Sequence, residues 1–517
     1  MIETETKIPK RIPFDNNLLK YIKAILAAFA YVFLFSYSTS PLYQLNEILK
    51  DSYIFQIIGK YWDGQNIPYV DLFDHKGPLI FGINAVGYKI TGNRYGIFAI
   101  QLVLMSIVIL ISFEMFRTAF SNDTAIKLTV IALVGMLAGY QGGNLTEEYI
   151  LPFFMLSFFQ FWKWANQFTL YRQAEHKPRS AFLYGITFGI AVMTRITNSI
   201  GICCMVLLVM VVLLKEHKWK NIVLNICFFI IGCAFIILPF ILYFAMHHAL
   251  YEMWFGTIEF NVSYVKNSYK IIQQSSTARK TISFLLYFFS SYCMAFTGIL
   301  AARKIKRKFI GVCMVFISVI TTILFAVGRA YPHYCMICLP YFVISILELK
   351  KSNSIFIWKK MGYRKLIILF SVLYLTGGIW GIRSIYRNCA PKDNSAAIEN
   401  ILSSIPEDEK CSFVAWNCPP YLYLKYDIKP LYRYFIIQSN QAKMSQKLKE
   451  EMHQTFQKGN VKWIMAEDGT QGIIQDILDR RYDIQKMESA GGVKYILYCE
   501  KESNLNRIIN EKLSAIR

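Results

Sequence analysis

The chain has 517 residues, of which 55% are hydrophobic and 16% aromatic, and it carries a formal net charge of +22. This composition excludes a soluble fold of such length and predicts a polytopic α-helical membrane protein. The positive charge does not indicate nucleic-acid binding, because the basic residues cluster in alternate loops between apolar segments, as cytoplasmic loops do. We therefore expect no nucleic-acid partner.

Apolar segments long enough to cross about 30 Å of hydrocarbon recur along the chain. They predict about eleven transmembrane helices, near residues 21–42, 95–117, 124–141, 149–165, 181–197, 198–214, 221–245, 281–302, 309–328, 334–348 and 365–383. The alternating basic clusters place the amino terminus inside, with 1–20 as a cytoplasmic leader. These features predict a multi-pass protein of the cell membrane.

The first outer loop, residues 43–93, concentrates ionisable side chains among aromatic ones. An ionised side chain at mid-bilayer costs about 2.5 to 3.5 kcal/mol, so this loop is expected at the water boundary. Apolar residues at helical spacing within 43–62 predict an interfacial helix. A second, too short for a full span, is predicted over 78–91, with Pro78 at its start.

The same loop holds the first candidates for chemistry at a phosphate-linked headgroup, which needs a base and a cation for the departing phosphate. Asp51 is the candidate base; a solvated acid on an interfacial helix is the alternative. Asp74, His75 and Lys76 directly precede the helix at Pro78, where the helix start favours an anion. His75 and Lys76 are expected to bind the phosphate, and Asp74 to orient Lys76 or contact a sugar. A salt-bridged loop that only caps the helix is the alternative.

Further candidates lie at the predicted outer ends of later spans: the acids Glu147 and Glu148, and the phosphate-binding candidates Arg195, Arg329, Tyr331 and His333. The adjacent acids either bind sugar hydroxyls or a metal, or only complement a helix dipole. For Arg195, snorkelling to the headgroup region is the competing interpretation. The sequence is compatible with a divalent cation at these acids and identifies no cofactor.

After residue 383 the charge density rises, and short strand-like runs alternate with amphipathic stretches. We predict a small extracytoplasmic α/β domain over 384–517, following a transmembrane domain over 21–383. Its expected strands are 411–416, 461–466, 482–488 and 493–499, and its expected helices are 395–404, 444–457 and 472–480. Cys411 and Cys418 leave a disulfide open, whereas most of the twelve cysteines lie in or beside apolar spans.

Several strings resemble one family when they are taken in order: an acid soon after the first span, YVDLFDHKGPL, TEEY, RAYPHY and WNCPPYLYLKYDIKPLYRY. Together they look like the GT-C glycosyltransferases of the protein O-mannosyltransferase and aminoarabinose transferase type. The resemblance implies a GT-C fold, a catalytic domain over 21–383, and a polyprenyl-phosphate-linked sugar donor used on the extracytoplasmic face, usually with inversion.

The resemblance also implies roles for individual residues. It makes Asp51 the catalytic carboxylate, places Lys76 on the carrier phosphate, and makes Glu147 or Glu148 the second acidic site. The family often has Asp-Glu where this chain has Asp51-Ser52, which leaves metal dependence open.

The expected partners are the lipid-linked donor, membrane lipids, and an acceptor that is an extracytoplasmic glycan, a teichoic-acid polymer, a lipid or a protein. Apolar grooves between helices would bind the polyprenyl tail. The alternative functions are a transporter or flippase for a lipid-linked sugar and a noncatalytic surface receptor. Transport is disfavoured because the predicted spans carry few charges and no repeated halves.

Overall fold

The computed structural model describes residues 18–45, 50–264, 287–327, 331–351, 362–389, 394–458 and 461–501. Its first fourteen α-helices in chain order are α1 (Leu18–Phe35), α2 (Lys50–Tyr61), α3 (Pro78–Thr91), α4 (Tyr95–Arg117), α5 (Asn122–Tyr140), α6 (Thr146–Tyr171), α7 (Pro178–Thr194), α8 (Ile200–Lys215), α9 (Trp219–Met246), α10 (Leu250–Trp254), α11 (Phe289–Ala302), α12 (Lys308–Val327), α13 (Leu339–Lys351) and α14 (Tyr363–Cys389). Short 3₁₀ segments lead into α8 and α13, and a π-helical turn, Phe255–Glu259, follows α10.

Eight helical segments in the described ranges are long and apolar enough to cross a membrane: Leu18–Phe35, Tyr95–Arg117, Asn122–Tyr140, Ile196–Lys215, Trp219–Met246, Ile305–Ala326, Pro332–Lys351 and Tyr363–Arg387. Each coincides with a segment predicted from hydropathy. The polytopic membrane class is therefore confirmed, while the count of about eleven spans stays a prediction.

The chain divides into two compact units. The helical unit comprises residues 1–42, 89–243 and 274–387, and the mixed unit comprises 43–88, 244–273 and 388–517. In the helical unit, α4 packs against α1, α5 and α6, and α11 and α12 form a hairpin that packs against α13 and α8 respectively. In the most apolar 18 residues of the segment Pro332–Lys351, 94% of the residues are buried, which makes this segment a central element.

Two helices of this unit touch through backbone atoms. A Cβ added at Gly378 in α14 would lie 2.0 Å from the carbonyl oxygen of Val134 in α5, and one added at Gly381 would lie 2.2 Å from that of Leu137. Small residues permit such close approach between membrane helices. These glycines therefore set the separation of α5 and α14.

The mixed unit contains a four-stranded sheet with helices on its connections. The strands are β1 (Phe413–Trp416), β2 (Trp463–Glu467), β3 (Tyr482–Ala490) and β4 (Val493–Glu500), in the order β1-β2-β4-β3. The accompanying helices are α15 (Asn394–Leu402), α16 (Tyr421–Lys425), α17 (Gln438–Met444), α18 (Gln446–Lys458) and α19 (Gln475–Arg481). The predicted α/β character of this region is confirmed.

Connection lengths explain the pairing of the strands. β1 and β2 are parallel, a pairing that needs a long crossover, and α16, α17 and α18 lie on that crossover. β3 and β4 are antiparallel and joined by Gly491 and Gly492, both at positive φ, as a tight hairpin turn demands. Cys411 is exposed and Cys418 is buried, and both are free thiols.

The core of the mixed unit includes residues distant in sequence. Phe73 from the first loop packs against Phe255, Phe260 and Tyr434, with ring centroids 5.5 to 6.0 Å apart. The backbone N–H of Phe73 also donates to the carbonyl of Arg433 at 2.9 Å. The first loop is thereby fixed to the α/β part of this unit.

Helix α2 is buried more completely than its amphipathic pattern predicts. Residues 52–59 are all buried, including Ser52 and Gln56, whose side chains hydrogen-bond to each other at 3.2 Å. Asp51 stands one residue before this stretch and remains half-buried. Helix α3 begins at Pro78, as predicted.

Candidate functional site

Asp51 differs from the other described aspartates of the first loop in how its carboxylate is used. Asp63 accepts two backbone hydrogen bonds in its own turn, Asp71 accepts one from the N–H of Ile67, and Asp74 is bonded to its two following neighbours. The carboxylate of Asp51, in the first turn of α2, makes no hydrogen bond or ion pair with a residue of the described ranges. Among the first-loop aspartates that the structure describes, Asp51 is therefore the one whose carboxylate has no partner in the described ranges.

Asp74, His75 and Lys76 form a hydrogen-bonded chain. Nδ1 of His75 donates to Oδ1 of Asp74 across 3.2 Å, and the ammonium of Lys76 donates to Nε2 of His75 at 3.0 Å. The backbone N–H of Lys76 also donates to Oδ2 of Asp74 at 3.3 Å. An ammonium has three donors, so the bond to His75 leaves Lys76 with the capacity to bind an anion.

Electrostatics fix the charge states of Asp74 and His75. Burial alone would raise the pKa of Asp74, but the charge and hydrogen bonding of His75 and the charge of Lys76 outweigh burial and lower that pKa to about 2. Burial, followed by the charge of Lys76, lowers the pKa of His75 below its ordinary value. At neutral pH Asp74 is therefore an ionised carboxylate and His75 a neutral imidazole.

Asp51 acts electrostatically on His75. Its negative charge opposes the lowering of the pKa of His75, although it is the smallest of the effects on that pKa. The candidate base Asp51 and the candidate phosphate-binding residue Lys76 both belong to the mixed unit.

Three residues for which the sequence predicted no such role contact His75 and Lys76. The hydroxyl of Tyr69 donates to the carbonyl of Lys76 at 2.6 Å, and the side-chain amide of Asn261 donates to the carbonyl of His75 at 2.8 Å. The ring of Tyr264 stacks on that of His75 with centroids 5.3 Å apart. Tyr69 has a positive φ of 70°, which is rare outside glycine. No local sequence pattern predicted this backbone conformation.

A second polar group lies in the helical unit. Helix α6 carries Glu147 in its first turn, and the fully buried carboxylate of Glu147 pairs with Nη1 of Arg195 at 3.3 Å. Arg195 follows the last residue of α7 in extended conformation, and its guanidinium lies 3.7 Å from the ring centroid of Tyr334. Arg195 is therefore held by an ion pair and a cation–π contact, not simply extended toward headgroups.

His333 completes this group. Nη1 of Arg195 also lies 3.3 Å from Nε2 of His333, and Nδ1 of His333 lies 2.9 Å from Oε1 of Gln141. Since arginine only donates and Oε1 only accepts, these contacts assign a neutral His333 with its proton on Nδ1. Gln141, at a positive φ of 40° after α5, was not predicted.

Glu148 has a different environment from its neighbour. Its carboxylate accepts hydrogen bonds from Nε2 of Gln101 at 2.8 Å, the hydroxyl of Tyr140 at 2.9 Å and the backbone N–H of Asn144 at 2.8 Å. These donors join α4, α5 and the start of α6, which suits a structural role. Gln101 was missed, although a glutamine within an apolar span is itself a signal for interhelical bonding.

The remaining candidates are placed as follows. Tyr331 stacks on His333 with ring centroids 5.5 Å apart. Arg329 lies outside the described residues. Within the described ranges, no group of three or more His, Cys, Asp or Glu side chains is arranged to hold a metal ion.

Comparison with known proteins identifies the fold. No family model matches the sequence, and no curated protein matches it. Among solved structures, ArnT from Cupriavidus metallidurans bound to undecaprenyl phosphate is similar over 92% of this chain and 97% of its own, at 11% identity and a TM-score of 0.55.

The archaeal oligosaccharyltransferase AglB from Archaeoglobus fulgidus, in complex with an inhibitory peptide and a dolichol-phosphate, matches 94% of this chain and 74% of its own. Its identity is 11% and its TM-score 0.46. The similarity to ArnT extends over nearly the full length of both chains, and with it the predicted architecture is confirmed: this chain has the GT-C fold.

Proposed function

We propose that this protein is a membrane glycosyltransferase that moves a sugar from a polyprenyl-phosphate carrier to an acceptor hydroxyl. The proposal rests on two groups of the mixed unit: the carboxylate of Asp51, which has no hydrogen bond or ion pair within the described ranges, and the ammonium of Lys76. The GT-C fold supports it, since ArnT, which shares that fold, was solved with undecaprenyl phosphate.

The chemistry follows from the two groups. Asp51 takes the proton of the acceptor hydroxyl while the oxygen of that hydroxyl bonds to the anomeric carbon of the sugar. The bond from that carbon to the phosphate oxygen breaks, and the electron pair leaves with the polyprenyl phosphate. Lys76 stabilises the charge that develops on the departing phosphate. Attack opposite to the leaving group inverts the anomeric centre.

Asp74 and His75 serve Lys76 in this proposal. The neutral imidazole accepts a hydrogen bond from one N–H of the ammonium, which orients the other two N–H groups, while the ionised Asp74 fixes the imidazole. Such a chain keeps the cation in one position without neutralising it. His75 is therefore a positioning residue for Lys76.

The cluster of Arg195, Glu147 and His333 is the second anion-binding candidate. Its guanidinium is paired with one buried carboxylate, and Tyr331 and Tyr334 add aromatic surface beside it. We assign it to binding of a phosphate or a sugar, with Glu147, and not Glu148, as the acid that contacts the ligand.

Topology and acceptor remain part of the proposal. The basic clusters place residues 1–20 in the cytoplasm and 384–517 outside the cell membrane. The acceptor is an extracytoplasmic glycan, teichoic acid, lipid or protein, and the sugar is a hexose or a pentose. Divalent-cation dependence is open to direct assay.

The test uses the full-length protein in proteoliposomes with polyprenyl-phosphate sugars and acceptor-containing membrane extract. We expect release of free polyprenyl phosphate, and we expect Asp51→Asn to lower its rate by a factor of about 10² to 10⁴. Asp63→Asn is the matched control, because Asp63 only caps a turn. Sugar that crosses the bilayer still attached to its lipid would establish the flippase alternative instead, and full activity of Asp51→Asn would refute the role of Asp51.

A further inference from the structure

The hairpin of α11 and α12 forms an apolar groove at its surface. A cavity of about 600 Å³ is lined by Ile299 and Ala302 of α11 and by Val312, Phe316 and Val319 of α12, with Arg303 at one end. The groove lies along the candidate span Ile305–Ala326, at the depth of lipid tails.

The groove is open to its surroundings. Val312 is 49% exposed, Val319 is 42% exposed and Ile299 is 48% exposed. Val312 and Val319 are seven residues apart on one face of α12, so the exposed strip continues for about 10 Å along the helix at 1.5 Å per residue. Such a strip fits one extended hydrocarbon chain better than a folded partner.

The end of the groove is strongly basic. Residues 303–308 include Arg303, Lys304, Lys306, Arg307 and Lys308. Arg307 is neutralised by the buried carboxylate of Glu348. Arg303, Lys306 and Lys308 make no ion pair with any residue that the structure describes. Three cationic side chains are therefore concentrated where the apolar strip reaches the edge of the membrane.

We propose that this groove binds an anionic phospholipid, with one acyl chain along α12 and the phosphate on Arg303 and Lys306. An apolar strip that ends in uncompensated positive charge matches an acyl chain that ends in an anionic headgroup. This site is separate from the second anion-binding candidate of Arg195, Glu147 and His333, because the 303–308 turn lies at the opposite end of α12 from His333. Twenty residues of helix, about 30 Å, separate the two ends.

The experiment compares lipid retention by the full-length protein. The protein is mixed in detergent with phosphatidylglycerol or with phosphatidylcholine of the same acyl chains, and bound lipid is counted by native mass spectrometry. We expect preferential retention of phosphatidylglycerol. Arg303→Gln with Lys306→Gln should weaken that retention by about five-fold per cation removed.

Two further variants separate charge from shape. Lys215→Gln with Lys220→Gln removes two exposed cations at another helix turn and should leave retention unchanged. Val312→Trp fills the groove at an exposed position and should displace either lipid. Equal retention of the two lipids by the unaltered protein, or unchanged retention in the Arg303 and Lys306 variant, would overturn the proposal. Loss of lipid selectivity with intact sugar transfer would leave the proposed enzymatic function standing.

Discussion

Lys76 and His75 meet through an ammonium and a ring nitrogen that are 3.0 Å apart. The ring nitrogen accepts only when the imidazole is neutral, so the protonation state of His75 decides whether Lys76 keeps this partner. The two residues are therefore coupled through pH.

That coupling predicts a loss of stability in mild acid. The pKa of His75 is lowered in the folded protein, so as the pH falls through the ordinary histidine value, near 6.5, the unfolded chain binds a proton that the folded chain does not. We expect the free energy of unfolding to be constant above this range and to fall below it, toward the lowered folded pKa. Asp74, with a pKa of about 2, stays ionised throughout.

Thermal unfolding between about pH 8 and about pH 5 measures this effect. His75→Gln should show a shallower loss than the unaltered protein, since it has no proton to take up at this position. His217→Asn, at an exposed turn, is the control and should keep the original slope. Identical slopes for His75→Gln and the unaltered protein would contradict the assignment.

Removing the ammonium of Lys76 should weaken binding of the carrier phosphate. A hydrogen bond to a charged group contributes about 1.5 to 3 kcal/mol, so Lys76→Gln should raise the KM for the lipid-linked donor about 10- to 150-fold. Steady-state kinetics at several donor concentrations measures it. Lys60→Gln breaks an ion pair with Asp427 and a cation–π contact with Tyr61, both in the same unit, and should leave KM unchanged. An unchanged KM for Lys76→Gln would rule out phosphate binding by Lys76.

Glu147 and Arg195 form a buried pair in which each charge depends on the other. Arg195→Met leaves the fully buried Glu147 uncompensated and should destabilise the protein by about 3 to 5 kcal/mol. Adding Glu147→Met removes the stranded charge and should recover most of that loss. A double-mutant cycle from thermal unfolding measures the coupling, and simple additivity of the two single changes would contradict the pair.

Glu148 and Asp51 should give opposite phenotypes. Glu148→Ala leaves buried donors on Gln101, Tyr140 and Asn144 without their acceptor, at about 1 to 3 kcal/mol each. We expect a lower unfolding temperature and a poor yield of folded protein. Asp51→Asn should keep the unfolding temperature and lose turnover. Unfolding of the Glu148→Ala variant at the original temperature would contradict a structural role for Glu148.

Hydropathy and local periodicity were sufficient for much of the architecture. The bounds of α4 agree with the predicted span at 95–117, and the four predicted strands appear within about two residues of their expected places. These elements are determined by nearby residues. Apolar runs of sufficient length, or alternating ones between turns, form the same structure in most contexts.

The candidate sites were predictable only in part. Asp74, His75 and Lys76 stand side by side in the sequence, and their chain of hydrogen bonds is local. The partners of Glu148 and His333 are not, because Gln101 and Gln141 come from other helices and meet them only after packing. Sequence proximity suggested one role for Glu147 and Glu148, whereas adjacent positions on a helix point about 100° apart and face different neighbours.

The glycine contacts between α14 and α5 constrain how the chain is assembled during synthesis. Gly378 meets the backbone of Val134, yet the ribosome completes α5 long before it reaches α14. The face of α5 around Val134 and Leu137 must therefore stay accessible inside the bilayer until the late helix arrives. The helical unit is therefore completed only when α14 packs against α5. A protein truncated before α14 would leave this face of α5 exposed in the bilayer, where membrane quality control can recognise it.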